Sequence, residues 1–101
     1  MLRVPAGSLH VYHQYAVRLV GDVPRERVLE QLKKEGIAAA VHYPSPVHTQ
    51  EAARGWGYGP GAFPNAERLA REVVCLPVHP FLSAADVERV AEATVRAAEG
   101  R

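Results

Sequence analysis

The chain has 101 residues and a formal net charge of +1, with 48% hydrophobic and 23% charged residues. That composition is globular and fits one domain, 1–101, with no room for a second. A near-neutral balance gives no electrostatic drive toward nucleic acid or an anionic membrane, and no apolar run reaches the length of a membrane span.

Residues 1–8 form a lead-in that Pro5 and Gly7 keep irregular. No hydrophobic signal core follows Met1, so a soluble cytoplasmic protein is expected. His10 to Val20 reads as a first strand, with Val11, His13, Tyr15, Val17 and Leu19 on one face. Gly21-Asp22 marks a turn. Pro24 to Glu35 reads as a helix: proline suits its first turn, Val28, Leu29 and Leu32 form its apolar stripe, and Gly36 supplies a left-handed stop.

Ile37 to Tyr43 reads as a second strand, ended by Pro44 and Pro46. Val47 to Arg54 reads as a short helical turn, and the glycines between Gly55 and Gly61 make a loop. Pro64 to Val73 reads as a helix with Ala66, Leu69, Ala70 and Val73 at i, i+3, i+4, i+7. Val74 to Val78 reads as a third strand. It carries Cys75, the chain's single cysteine, which forms no internal disulfide and reads as a buried structural thiol. Ser83 with Asp86 is a capping-box pattern opening the last helix, whose inner face is expected to hold Val87, Val90, Ala91, Thr94, Val95 and Ala98. The fold class expected is α/β in the α+β sense, a small three-stranded mixed or antiparallel sheet with helices on one face.

The five histidines do not fall into a metal pattern. His10 and His13 are three apart on the expected strand and so point to opposite faces, while His42, His48 and His79 lack structural-zinc spacing. No metal site is expected. Lys33 and Lys34, the only lysines, read as solvated helix residues, and an imine-forming lysine needs a desolvated pocket. Glycines from Gly55 to Gly59 do not follow an apolar strand and lack the GK[ST] element of a phosphate loop. Ser8, Ser45 and Ser83 have no nucleophile-elbow context. Arginines alternate with glutamates, as in Glu67-Arg68 and Arg71-Glu72, which reads as a solvated face.

The densest chemistry lies in His42-Tyr43-Pro44-Ser45-Pro46-Val47-His48. Two prolines stiffen a loop at a strand end, where Tyr43 can stack on a ring and His42 and His48 can bond hydroxyls or phosphate. The competing reading has Tyr43 packing and the histidines satisfying local backbone groups.

This segment, continued through Thr49-Gln50, resembles the H-Y-P-x-P-x-H-x-Q pattern of the DegT/DnrJ/EryC1/StrS sugar aminotransferases. Three further blocks match in order: His10-Val11-Tyr12-His13-Gln14-Tyr15, Gly61-Ala62-Phe63-Pro64-Asn65-Ala66-Glu67 and Leu76-Pro77-Val78-His79-Pro80. The resemblance implies the carboxy-terminal small domain of a fold-type-I pyridoxal-phosphate enzyme, usually a homodimer, that moves an amino group onto a nucleotide-linked keto-sugar. It implies that His42, Tyr43, His48 and His13 are substrate-side residues, and that the cofactor-bonding lysine belongs to a large domain outside this sequence. On that analogy the chain has no catalytic or cofactor-binding residue of its own and is inactive alone. It is expected to form a homodimer or higher oligomer and to work with a large-domain chain. A stand-alone nucleotide-sugar-binding or interaction module, and a folded gene remnant, are the other readings.

Overall fold

The structure, a computed structural model, describes residues 4–101. In chain order it contains β1 (Tyr15–Arg18), α1 (Arg25–Lys34), two 3-10 turns (Val47–Thr49 and Glu51–Trp56), α2 (Pro64–Glu72), β2 (Val73–Leu76) and α3 (Ala84–Glu99). β1 and β2 pair antiparallel, with Tyr15 opposite Leu76, Val17 opposite Val74 and Arg18 opposite Val73.

Among the described residues the sheet has two strands, not the expected three. The segment expected to be the second strand, 37–43, supplies a single bridge: Ala40 and Cys75 exchange backbone bonds of 3.0 and 2.7 Å. A tight turn takes up the Ala39 N–H, which donates to Ile37 O, and the prolines beyond Tyr43 carry no N–H to extend a ladder. The first strand is also shorter than expected. Residues 10–14 alternate as a strand should, but among the described residues no neighbouring strand pairs with their backbone, and Leu9 and Val11 stand exposed. The third strand starts one residue early, at Val73, and stops at Leu76, before Pro77.

The core lies where α1 and α3 meet the paired strands. Leu19, Val28, Leu32, Ile37, Val74, Val90, Ala93 and Ala97 form one buried cluster. Val17 and Val74 are direct cross-strand partners, so they share the face that receives α1. Gly36, at φ +72°, turns the chain out of α1, which lets Ile37 donate its N–H back to Leu32 O at 2.9 Å. Arginines tie the helix ends together: Arg89 donates to Glu35 O at 3.0 Å, and Arg96 pairs with the Glu35 carboxylate at 2.9 Å. Arg25, mostly buried, donates from Nη1 to Ala70 O at the end of α2.

The capping box forms as expected. Asp86 N–H donates to Ser83 Oγ at 3.1 Å, and Ser83 N–H donates to Asp86 Oδ2 at 3.0 Å. The inner face of α3, however, is rotated from the expected one. Val90, Ala93 and Ala97 are buried, whereas Val87 and Val95 are more than half exposed. Small residues win this face because they let α3 approach α1 closely.

The Cα radius of gyration is 15.8 Å. A compact domain of this length has about 13 Å, so parts of the chain project from the core. The arm before β1 is one such part.

Leu32 has no exposed surface, while Val87 is 55% exposed on α3. Leu32→Ala is expected to lower stability by about 3 kcal/mol and Val87→Ala by under about 0.5 kcal/mol, read by chemical denaturation. Equal losses would show that the outer face of α3 carries weight in the isolated chain.

Candidate functional site

An open, mainly apolar groove of about 640 Å³ lies beside the core. One wall is the 42–48 segment with Tyr43, Pro46 and Val47. The other is the stripe Ala66, Leu69, Ala70 and Val73, with Trp56, Tyr58 and Phe63 standing over it. The i, i+3, i+4, i+7 spacing of that stripe therefore lines an open surface, and only Ala70 in it is buried. Val73 ends the stripe on β2, one residue before the core residue Val74, so the groove is anchored to the core there.

Three of the four expected site residues meet in this groove: His42, Tyr43 and His48. Tyr43 is 69% exposed, and the His42 and Tyr43 rings meet edge to face at 5.5 Å. His13 is not among the groove residues and is exposed on the arm before β1. The arm is not a strand at His10 and His13, so alternation of faces does not govern them. His10 instead accepts the Tyr12 N–H at Nδ1, 2.9 Å away. Among the described residues, no three metal-ligating side chains come together.

His48 is placed differently from its neighbours. It is 7% exposed, and its Nε2 lies 2.9 Å from Glu67 Oε1. Its ring also meets Phe63 edge to face at 4.9 Å, and Phe63 in turn meets Tyr58 at 5.1 Å. Glu67 also accepts the Gly61 N–H at 2.7 Å and the Phe63 N–H at 3.4 Å. Gly61 presents its N–H from a φ of +89°, a conformation that disfavours any other residue. The hydrogen bond from His48 is the largest influence on the Glu67 carboxyl. With the two backbone bonds, it holds that group below the ordinary glutamate range, against the opposing effect of burial. The sequence reads Glu67 as one charge of a solvated helix face; its first-turn position after Pro64 and its place at the end of the Gly61–Glu67 block are the signals that it carries.

Lys33 is exposed, and Lys34 is exposed and pairs with Glu30 at 3.0 Å. Neither sits in the dry pocket that an imine-forming lysine requires.

The sequence model of the DegT/DnrJ/EryC1/StrS aminotransferase family matches residues 1–95. The chain belongs to that family. A dTDP-3-amino-3,6-dideoxy-alpha-D-galactopyranose transaminase of Aneurinibacillus thermoaerophilus is 39% identical over 87 residues, which are 86% of this chain and 23% of the relative. The crystal structure of DesV from S. venezuelae superposes with a TM-score of 0.77 at 36% identity, over 88% of this chain and 23% of that one. The sugar aminotransferase Spr1654 of Streptococcus pneumoniae, solved in a PLP form, gives a TM-score of 0.75 at 30% identity, over 87% of this chain and 23% of that one. This aminotransferase-family chain thus spans about a quarter of the length of the relatives it matches, and all four sequence blocks fall within the matched region.

A carboxyl with a depressed folded-state pKa stabilises the fold above the ordinary glutamate range, and that contribution is lost as pH falls through the folded-state value. Acid titration followed by fluorescence of Trp56, the only tryptophan, is expected to show the aromatic loop releasing below the ordinary glutamate range. In Glu67→Gln that acid step should be missing. A step of the same size in the variant would assign it to another group.

Proposed function

We propose that this chain forms the substrate-side part of a pyridoxal-phosphate nucleotide-sugar aminotransferase, closing the cleft over the sugar. The observation that carries this reading is the groove itself: a stiff loop bearing exposed Tyr43 beside an aromatic wall, built from the family's own sequence blocks. Tyr43 would stack on a ring of the ligand, and His42 would bond its hydroxyl or phosphate oxygens. His48 would border the ligand from below the groove surface. His13 joins the proposal as a residue whose ligand contact is made in the assembled enzyme.

The cofactor, which carries the amino group in this chemistry, would be held by a complementary large domain or chain that supplies the lysine. The chain alone is proposed to be inactive, in a cytoplasmic setting where Cys75 stays reduced. Its exposed apolar surface, including Leu9, Val11 and Val87, supports association into a dimer or higher oligomer.

Calorimetry with dTDP-glucose and UDP-glucose tests the groove. Binding is expected, and Tyr43→Ala should weaken it by about tenfold, the scale of one aromatic stacking contact. Heat that is unchanged in Tyr43→Ala, or absent with both ligands, would overturn the assignment. Light scattering at high concentration checks association, for which a monomer is the contrary result.

A further inference from the structure

The groove has an unusual mechanical problem. Apart from the stripe running along α2 to Val73, its lining comes mainly from segments 42–48 and 56–63, and none of those residues is part of the main hydrophobic cluster. Ala53 and His48 are buried there and Phe63 is 43% exposed, but Tyr43, Val47, Trp56 and Tyr58 are each more than half exposed. Apolar packing therefore does little to fix one wall against the other. Besides the edge-to-face contact of His48 with Phe63, what joins them is one carboxylate, with His48 on one side and the amides of Gly61 and Phe63 on the other.

We propose that Glu67 is a positioning residue: it holds His48 in one tautomer and fixes the aromatic wall at 58–63 against the 42–48 loop. The chemistry is directional. A carboxylate only accepts hydrogen bonds, so the His48 ring must donate through Nε2–H. In the neutral ring Nδ1 is then the unprotonated acceptor, and it makes no hydrogen bond among the described residues. His48 lines the groove, so a donor on a bound ligand, such as a sugar hydroxyl, is the class of group this nitrogen suits. Glu67 acts through His48 and the backbone, and touches no ligand in this scheme. The ligand consequence rests on the substrate-side reading given above; the positioning itself does not.

The test needs no ligand, so its failure is distinct from failure of the binding assay. Ring-nitrogen NMR, recorded where the His48 ring is in its neutral form, should show it protonated at Nε2 alone. Glu67→Ala should give a mixture of tautomers, and exchange of the Gly61 and Phe63 amides should rise by about tenfold or more, the scale of losing a bond to a charged acceptor. Amides of Leu32 and Val74 should keep their wild-type protection. Glu67→Gln keeps an oxygen acceptor and should restore both signals. An unchanged tautomer and unchanged exchange in Glu67→Ala would overturn the proposal, as would a rise equal at all amides. If Glu67→Ala does not fold, His48→Phe leaves the backbone bonds of Glu67 in place and removes only the cross-link. Acrylamide should then quench Trp56 more strongly than in the wild type, and equal quenching would overturn the proposal.

Discussion

The peptide groups of β2 face two ways, and both directions are in use. Cys75 spends its N–H and C=O on Ala40, while the neighbouring residues Val74 and Leu76 sit opposite Val17 and Tyr15. Alternation along a strand requires this division, since successive backbone groups point to opposite edges. Four residues thus hold the amino-terminal strand on one side and the segment leading to the 42–48 loop on the other. Val74 enters the core from the same strand, and Val73 closes the groove. Displacing β2 would move the core, the loop and the groove floor together.

The groove and the core are stabilised by different physics. In the core, aliphatic side chains from α1, α3 and the strands exclude water with no polar atom among them. At the groove, exposed aromatics are arranged by a buried histidine, a carboxylate and two amides. A buried polar group without partners is costly, so such a network is stable only in a narrow set of geometries. That narrowness gives the groove a defined shape without filling it, which suits a surface that must stay open to a ligand.

Features that depend on a few neighbouring residues were legible in the sequence. Gly36 ends α1 because only local backbone freedom is needed there, and Ser83 caps α3 because its partner Asp86 is three residues away. The joining of His42, Tyr43 and His48 was legible too, since one stiff loop carries all three. Long-range matters were not. Residues 10–14 have strand alternation, but a strand exists only where another accepts its hydrogen bonds, and among the described residues no strand does so. The inner face of α3 was misplaced because its larger residues, Val87 and Val95, look more core-like than Ala93 and Ala97; close helix approach favoured the smaller ones. Glu67 was hidden because its partner His48 lies 19 residues away and the amides it accepts are common to any loop.

The alanine stripe on α3 also limits how this sequence can drift. Ala93 and Ala97 have essentially no exposed surface, and the Ala97 carbonyl accepts a bond from Arg27 at 3.4 Å. A Cβ at Gly100 would come within 3.2 Å of the same guanidinium. Any larger side chain at Ala93 or Ala97 must push α3 from α1, since a filled interior has no slack to absorb a methyl group, while at the exposed Gly100 it is the φ of +77° that disfavours a side chain. Positions 93 and 97 therefore admit only the smallest side chains without a shift of the helix pair, whereas the exposed valines of α3 carry no such internal constraint.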